Sequence, residues 1–277
     1  MRKYIKRLVT WIIKGVPVIK INAFIYQTSA SEKLLGKKIV VTGGGRGLGF
    51  YMAKKFIEEG ASVLITGRDE NILKVASLQL NNCPFLKFDV QCINEIPVFM
   101  EKVDTLLGGK IDCLVNNAGI SFHERGFEEV TIEGFEKQFN TNLKGPYFLS
   151  QAFINYWGKH QMSNVNILFI TSERGLYCDV IPYGLTKAAI NSLTAGLARK
   201  YVTKGIRVNA IAPGVTASDM TGFDKTGDLY RENSCGKRVF LPEEIAEAAV
   251  FLLSDTSKCI SGEILPCNQG NHYRSDW

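Results

Sequence analysis

Short apolar runs that alternate with longer amphipathic stretches restrict the fold of this chain more than any other feature. Runs of strand length recur near residues 38, 62, 85, 112, 165, 206 and 263, and helix-length amphipathic stretches separate them. Such alternation predicts a parallel sheet with helices on both faces and right-handed crossovers. We therefore expect a doubly wound α/β fold around a mostly parallel seven-stranded sheet, with a ligand crevice at the carboxyl ends of the strands.

A glycine-rich turn follows the first apolar run and precedes a helix-like stretch at residues 51–59. It reads Thr42-Gly43-Gly44-Gly45-Arg46-Gly47-Leu48-Gly49. A strand, a glycine turn and a helix start together predict an anion site, because glycines let backbone N–H groups approach a phosphate at the positive end of a helix. No Gly-Lys-Ser/Thr follows, which excludes a P-loop. We interpret the turn as the phosphate loop of a Rossmann-type fold, and a glycine-rich turn without a ligand is the alternative.

The end of the second run predicts the choice of cofactor. An NAD site places a carboxylate about 20 residues beyond the glycines, where it accepts hydrogen bonds from the ribose 2′-hydroxyl. Gly67 holds that place here, Arg68 follows it, and Arg46 lies inside the glycine turn. Two guanidinium groups suit a 2′-phosphate. The sequence therefore predicts NADP(H) in preference to NAD(H), with two solvated surface arginines as the alternative.

Tyr183 and Lys187 stand four residues apart, and Ser172 precedes the tyrosine by eleven residues. Side chains four apart share one face of a helix. Bringing a phenol from a pKa of ~10 to near neutrality takes roughly 4 kcal/mol, and one cation about 4 Å away supplies an energy of that order at an effective dielectric of ~20. The spacing predicts a tyrosine that acts as a general acid or base, and a solvated helix face is the alternative.

Further strings complete a family pattern. Asp89-Val90 follows the third run, Asn116-Asn117-Ala118-Gly119 the fourth and Pro213-Gly214 the sixth, and Asn142 lies in a predicted helix. With the glycine turn and the Ser172, Tyr183 and Lys187 set, the chain resembles the single-domain branch of the short-chain dehydrogenase/reductase family from Gly36 to about Gly270. The resemblance implies an NADP(H)-dependent oxidoreductase that interconverts a carbonyl and an alcohol by hydride transfer.

The resemblance also implies the positions that bind the cofactor. Those for the adenosine and phosphate part are Gly43, Arg46, Gly47, Leu48, Arg68, Asp89 and Val90. Those for the nicotinamide part are Asn116, Ala118, Gly119, Tyr183, Lys187, Pro213, Gly214, Val215 and Ser218, the last standing where the family usually has threonine.

Catalytic roles follow from the same resemblance. Ser172 is expected to hydrogen-bond the substrate oxygen, and Tyr183 to give or take its proton. Lys187 is expected to bond the nicotinamide ribose and to lower the pKa of Tyr183. Asn142 is expected to hold a water that passes protons from Lys187 towards solvent. The family also uses the helices around Asn142 and after Tyr183 as a subunit interface, so we expect a homotetramer or homodimer.

Three segments depart from the family pattern. Residues 175–182 are a couple of residues shorter than in the family, which implies a different pocket wall beside Tyr183. Residues 221–240, which are expected to cover the substrate, are short and polar. Asn268-Gln269-Gly270 stands where the family usually has an aspartate and two glycines. None of these segments identifies the carbonyl or alcohol substrate.

Length and composition predict one catalytic domain at residues 36–277, because 277 residues of which 45% are hydrophobic can bury one good core. Seven cysteines form no Cys-x-x-Cys pair and are odd in number, and no secretory signal is evident. We therefore expect a reducing, cytoplasmic location. The three histidines are too scattered to predict a metal site.

Residues 1–35 form a separate, basic extension. They carry seven lysines and arginines and one glutamate, so their net charge is +6. The net charge of the whole chain is also +6. The remainder is thus neutral, and a nucleic-acid-binding surface is not indicated.

Apolar residues of the extension share one helical face, which predicts peripheral membrane contact through residues 1–20. They are Ile5, Leu8, Val9, Ile12 and Val16. Lys14 and Lys20 interrupt the apolar run before the ~20 residues that a membrane span requires. Packing of this helix on the enzyme and an organellar presequence are the alternatives.

Two other functions compete with a carbonyl reductase. A catalytically silent NADP(H)-binding sensor or scaffold of the same fold would be expected to lack Ser172, Tyr183 or Lys187, and all three are present. A sugar-nucleotide epimerase fits the glycine spacing and the short C-terminal part poorly.

Overall fold

The structure, a computed structural model, describes residues 32–160, 162 and 164–273. The predicted amphipathic helix of the N-terminal extension lies outside these residues, as does the end of the C-terminal tail. Within the described residues, every helix is too short or too polar to cross a membrane.

Seven strands form one parallel sheet, as the alternation of apolar runs predicts. The strands are β1 (Lys38–Thr42), β2 (Ser62–Gly67), β3 (Phe85–Lys87), β4 (Cys113–Asn116), β5 (Val165–Ile170), β6 (Ile206–Pro213) and β7 (Ile264–Cys267). Their order across the sheet is β3-β2-β1-β4-β5-β6-β7. The chain therefore reverses its direction of winding between β1 and β4, and an open α/β sheet binds its ligands at that point.

In the described part of the chain, seven α-helices surround the sheet, and six of them pack on its two faces. They are α1 (Gly47–Glu58), α2 (Glu70–Gln79), α3 (Ile96–Leu107), α4 (Ile132–Phe139), α5 (Gly145–His160), α6 (Pro182–Tyr201) and α7 (Pro242–Leu253). A π-helical turn, Asn140–Lys144, joins α4 to α5. Helix α1 begins at Gly47, earlier than the helix-like stretch at residues 51–59 indicates.

Alternate residues of β1 enter two separate hydrophobic cores, one on each face of the sheet. Ile39 and Val41 pack with α1, α2 and α7 on one face of the sheet. Val40, between them, packs with α3, α5 and α6 on the other face. Because side chains alternate across a strand, a strand that is buried on both faces is apolar over most of its length. This explains why β1 reads as a continuous apolar run in the sequence.

Several helices begin in one of two favourable ways. Either a side chain accepts hydrogen bonds from the first backbone N–H groups, or a proline, which has no N–H, stands at the first position. The Asp69 carboxylate accepts hydrogen bonds from the backbone N–H groups of Asn71 and Ile72 at the start of α2. Pro182 opens α6, and Pro242 opens α7. A proline costs no helical hydrogen bond at the first position of a helix. The start of α6 is important for the site, because Tyr183 and Lys187 lie in its first turns.

Candidate active site

The glycine turn wraps the N-terminus of α1 in the conformation that a phosphate loop needs. Gly43 and Gly47 have positive φ angles of 65° and 54°, which side chains with a Cβ disfavour. Gly49 lies in α1 against the turn, where an added Cβ would collide with the Gly43 carbonyl oxygen and approach Asn117 Nδ2 to 2.5 Å. Backbone N–H groups at the start of α1 are thus open to an anion.

Thr42 joins the glycine turn to the loop that follows β4. Its hydroxyl accepts hydrogen bonds from the backbone N–H groups of Asn117 and Ala118, each at 3.0 Å, and donates one to the Val115 carbonyl at 3.3 Å. The Asn117 amide in turn donates to the carbonyls of Thr42 and Gly43, at 2.9 and 3.1 Å. The two loops at the switch point therefore form one hydrogen-bonded unit.

A cleft of about 1300 Å³ runs from this unit along the carboxyl edge of the sheet. Single small-molecule pockets are commonly 300–1,000 Å³, so the cleft has room for more than one small ligand. Eleven of the residues predicted to bind cofactor line it: Gly43, Arg46, Gly47, Leu48, Arg68, Asp89, Val90, Gly119, Tyr183, Lys187 and Ser218. Seven other residues predicted for the site are not part of its lining: Asn116, Ala118, Asn142, Ser172, Pro213, Gly214 and Val215.

The side chain of Asn116 is directed into the protein. It is buried and donates a hydrogen bond to the Ser150 hydroxyl at 3.0 Å. That Asn116 flanks a ribose stays a prediction, and its backbone is the part that remains open to this role. Its neighbour Asn117, which the sequence reasoning did not select, supports the glycine turn instead.

Cationic side chains gather at one end of the cleft. Arg46 and Arg68 are exposed and line the cleft. Among the described residues, neither guanidinium forms an ion pair. Lys74 and Lys87 also line the cleft, and sequence reasoning did not select either. Lys74 is paired there with Glu70 at 2.9 Å. The strand register places Lys87 opposite Gly67, a pairing that becomes visible only when β2 and β3 are aligned.

Tyr183 and Ser172 meet at the other end of the cleft. The Ser172 hydroxyl accepts a hydrogen bond from the backbone N–H of Arg174 at 3.2 Å. Ser172 also hydrogen-bonds the Tyr183 hydroxyl, an interaction that favours the ionised phenol. Because the serine oxygen already accepts from Arg174, its own proton is free to be donated to the phenol oxygen or to a substrate oxygen.

The pKa of Tyr183 is raised rather than lowered in this structure. Burial of the phenol is the largest cause, and the hydrogen bond from Ser172 and the charge of Arg174 oppose it. Lys187 is not among the main causes of this shift, and the expectation that its ammonium lowers the pKa of Tyr183 stays a prediction. Desolvation disfavours the phenolate, and in the same surroundings burial lowers the pKa of Lys187 to about 8.

Lys187 is buried beside Tyr183. Its Nζ lies 5.5 Å from the centroid of the tyrosine ring and donates to the Ile170 carbonyl at 2.9 Å. An added Cβ on Gly119 would lie 3.5 Å from Lys187 Nζ and 3.4 Å from Asn142 Oδ1. The ammonium and the asparagine thus approach the same backbone segment at Gly119.

Hydrogen bonds fix the side chain of Asn142 in the π-helical turn. Its Oδ1 accepts from the Ile120 N–H at 2.8 Å, and its Nδ2 donates to the Ile120 carbonyl at 2.9 Å and to Thr186 Oγ1 at 3.3 Å. Thr186 precedes Lys187 in α6. Asn142 therefore holds the loop after β4 against the helix that carries Tyr183 and Lys187.

An ion pair closes the short wall between Ser172 and Tyr183. Arg174 Nε and Nη2 donate to the two carboxylate oxygens of Asp179 at 2.6 and 2.7 Å. Asp179 is nearly buried and also accepts from the Ile181 N–H at 3.0 Å. Gly184 lies so close to Asp179 that an added Cβ would collide with the carboxylate. The wall that the sequence predicts to be different is therefore a rigid, bidentate turn.

The residues present fit a nicotinamide dinucleotide. The glycine turn offers backbone N–H groups without side chains in the way, the cation-lined end suits phosphate, and the cleft continues from there to Tyr183. When such a dinucleotide binds along this cleft, its phosphates meet the start of α1. The described residues contain no cluster of three histidine, cysteine, aspartate or glutamate side chains with metal-site geometry.

Fold and site together define an oxidoreductase of the Rossmann type. The family model described as enoyl-(acyl carrier protein) reductase matches residues 43–272. The chain belongs to the short-chain dehydrogenase/reductase family.

Known members are similar over nearly their whole length. L-fucose dehydrogenase of Bos taurus is 32% identical, covering 83% of this chain and 87% of that protein. The 3-ketoacyl-(acyl-carrier-protein) reductase of Brucella melitensis, solved with NADH, is 28% identical with a TM-score of 0.79, covering 86% and 99%. The Pseudomonas aeruginosa RhlG/NADP complex is 27% identical with a TM-score of 0.80, covering 89% and 100%.

Proposed function

We propose that the chain is an NADP(H)-dependent oxidoreductase that interconverts a carbonyl and an alcohol, with Tyr183 as the general acid or base. The observation that carries this proposal is the meeting of Ser172, Tyr183 and Lys187 at the end of the cleft that begins at the glycine turn. The membership of the chain in an oxidoreductase family supports it.

Each side chain has a separate task in carbonyl reduction. Ser172 donates a hydrogen bond to the carbonyl oxygen, and Tyr183 donates its proton to the same oxygen as negative charge develops there. The raised pKa of Tyr183 keeps the phenol protonated at neutral pH, which suits the general acid in this direction. The bound cofactor supplies the hydride.

Lys187 contributes a positive charge beside the phenol. With a pKa of about 8, most Lys187 side chains are protonated at pH 7. The ammonium then stabilises the phenolate that forms when Tyr183 gives up its proton. Asn142 keeps the loop after β4 in place beside this pair through its hydrogen bonds to Ile120, and we propose that it also holds the water through which Lys187 exchanges protons with solvent.

The preference for NADP(H) is supported by the charges at the adenosine end. Arg46, Arg68 and Lys87 line this end, and Gly67 offers no carboxylate to a ribose hydroxyl. Guanidinium groups bind phosphate through paired N–H donors. The similar proteins do not decide the point, because one solved structure contains NADH and another NADP.

Replacement of Tyr183 by phenylalanine tests the proposal. It removes one hydroxyl, so turnover of a panel of ketones and aldehydes with NADPH should fall by about 10²- to 10⁴-fold, the usual contribution of a general acid. NADPH affinity, measured by fluorescence titration, should stay within about twofold of the wild type because the glycine turn and the cationic end are unchanged.

The matched control is Tyr147→Phe, the same change on an exposed side chain of α5. It should leave turnover unchanged. Wild-type protein that binds NADPH tightly but reduces no carbonyl, and oxidises no alcohol with NADP⁺, would favour the silent sensor or scaffold instead.

Assembly and location remain predictions. We propose a homodimer or homotetramer, and α4 exposes apolar side chains such as Ile132 and Phe135 that a second copy would cover. Light scattering of the purified chain tests this. Peripheral membrane contact of a cytoplasmic enzyme through residues 1–20 is tested by sedimentation with anionic liposomes, in which a chain starting at Ser31 should remain in solution.

A further inference from the structure

Glu173, the residue after the catalytic serine, is a buried carboxylate that the mechanism above does not use. It is 6% exposed, and its Oε2 accepts hydrogen bonds from Asn268 Nδ2 at 3.1 Å and from Asn271 Nδ2 at 2.9 Å. Among the described residues, no lysine, arginine or histidine forms an ion pair with it. A buried carboxylate is costly unless it is hydrogen-bonded, so these two amides hold Glu173 in place.

The two asparagines belong to a turn after β7, residues 268–272, which also contacts the segment expected to cover the substrate. Asn271 Oδ1 accepts from the backbone N–H of Cys235 at 3.2 Å. Gln269 packs directly on Gly236, where an added Cβ would collide with its amide oxygen. The C-terminal turn is therefore in contact with the substrate segment on one side and with Glu173 on the other.

Asn268 itself is buried and makes further contacts in this turn. Its Oδ1 accepts from the Gly270 N–H at 3.2 Å and lies 3.0 Å from His272 Nδ1. An added Cβ on Gly214, in the Pro-Gly segment after β6, would lie 3.0 Å from Asn268 Cβ. Asn268 thus packs against a segment that is predicted to lie beside the nicotinamide.

On the opposite side, Glu173 opens the short helical turn that orients the serine. The turn, Glu173–Gly175, begins at Ser172, whose hydroxyl accepts from the Arg174 N–H. The Gly175 carbonyl accepts from Asn191 Nδ2 of α6 at 2.9 Å. The orientation of the Ser172 hydroxyl therefore depends on the contacts of this turn at Glu173 and at Gly175.

We propose that Glu173 is a positioning residue, which transmits the arrangement of the C-terminal turn and the substrate segment to the hydroxyl of Ser172. The carboxylate acts through the backbone of the turn and does not contact substrate or cofactor. This inference rests on the proposed carbonyl–alcohol chemistry, because its readout is the contribution of Ser172 to turnover. Misplacing a catalytic group by about 1 Å can lower the rate roughly 10²-fold.

A swap of charge between Glu173 and Asn268 tests the inference. Glu173→Gln alone weakens the charge-assisted bonds, and Asn268→Asp alone places two carboxylates within about 3 Å, so that their charges repel. Each single variant should lower kcat with a carbonyl substrate by about 10- to 100-fold. The double variant restores one amide and one carboxylate to the pair, and its kcat should return to within about threefold of the wild type.

Two further measurements separate positioning from general damage. NADPH affinity should stay within about twofold of the wild type in all three variants, since the glycine turn is remote from Glu173. Glu263→Gln, the same change on an exposed side chain, is the matched control and should leave kcat unchanged. Asn271→Ala, which removes one donor at a partly exposed position, should lower kcat several-fold even where Asn268→Asp does not fold.

The outcomes are distinguishable. If the wild type reduces a carbonyl but Glu173→Gln and Asn271→Ala reduce it equally fast, Glu173 has no positioning role. If the fold-loss in kcat of the double variant equals the product of the fold-losses of Glu173→Gln and Asn268→Asp, the two residues are not coupled and the inference is wrong. If the wild type itself has no activity on any carbonyl or alcohol, the proposed function fails and this inference fails with it.

Discussion

Gly67 lies directly opposite Lys87 in the parallel pairing of β2 and β3, at the adenosine end of the cleft. Gly67 has no side chain, and the residue paired with it on the next strand, Lys87, carries an ammonium group. Arg68 follows Gly67 in the sequence. An NAD-specific site places a carboxylate at the position of Gly67. Arg68 and Lys87 line this part of the cleft together with Asp69 and Glu70, and residue 67 itself carries no carboxylate. The identity of residue 67 should therefore set the cofactor preference.

Gly67→Asp should reverse that preference. A Cβ at this position would meet only Leu73, at 3.6 Å or more, so the side chain fits. The new carboxylate would repel a 2′-phosphate and accept from a ribose 2′-hydroxyl, so the Kd for NADPH should rise at least tenfold, about 1.4 kcal/mol, and the Kd for NADH should fall. Gly67→Asn, of equal size but neutral, should change the NADPH affinity much less; equal effects of the two would show that bulk, not charge, is responsible.

Arg68→Ala should weaken NADPH binding while leaving NADH binding unchanged. A hydrogen bond to a charged group contributes about 1.5–3 kcal/mol, which corresponds to a loss of about 10- to 150-fold in NADPH affinity. Fluorescence titration of both cofactors measures the effect. Arg199→Ala, an exposed arginine on α6, is the control. If NADPH and NADH bind equally well to the wild type, Arg68 is a solvated bystander and the enzyme is NAD-linked.

Lys187→Met should increase stability at neutral pH. Burial lowers the pKa of Lys187 to about 8 from the ordinary lysine value of 10.5. The folded state therefore binds fewer protons than the unfolded state between these pH values, and the stability of the wild type rises with pH there. Below pH 8 the full cost of burying the ammonium, on the order of 3 kcal/mol, is present. The variant avoids this cost, although it loses the hydrogen bond to the Ile170 carbonyl.

Urea unfolding at several pH values measures this effect. The difference in free energy of unfolding between Lys187→Met and wild type should decrease by roughly 2 kcal/mol from pH 7 to pH 9.5, as the wild-type lysine loses its proton. Lys159→Met, the same substitution on an exposed face of α5, is the control. A difference that does not change with pH would mean that the lysine carries no cost of charge burial.

Gly49→Ala should disrupt the glycine turn, whereas Gly158→Ala should stabilise the protein. The added methyl group at Gly49 would collide with the Gly43 carbonyl, so the glycine turn must move and NADPH binding should be lost or greatly weakened. Gly158, in α5, has no atom within 4 Å of an added Cβ, and alanine there should stabilise the protein by about 0.5–1 kcal/mol. Thermal unfolding and NADPH titration compare the two; an unchanged NADPH affinity in Gly49→Ala would contradict a phosphate-binding turn.

The architecture was predictable because buried parallel strands leave a strong sequence signal. Strands such as β1 and β5 are buried along most or all of their length and are mostly apolar, since both of their faces are covered. Local chemistry also marks the cofactor turn, whose glycines are close together in sequence. Tyr183 and Lys187 were predictable for the same reason, since both lie on one short stretch of α6.

Features that depend on distant segments were not predictable. The contacts of Glu173 with Asn268 and Asn271 join residues 95 and 98 positions apart, and nothing in the local sequence of any of the three marks them. Asn116 and Asn117 are adjacent and chemically identical, so the sequence does not reveal which side chain supports the glycine turn. The raised pKa of Tyr183 is caused mainly by burial of its phenol, and the four-residue spacing between Tyr183 and Lys187 gives no information about burial.

The hydroxyl of Thr42 has a mechanical consequence for the crevice between β1 and β4. It accepts from two backbone N–H groups of the neighbouring loop and donates to a carbonyl of β4, and the Asn117 amide adds two hydrogen bonds between the same loops. Widening the crevice would require breaking all five hydrogen bonds. The two loops are therefore expected to move as one unit rather than apart from each other.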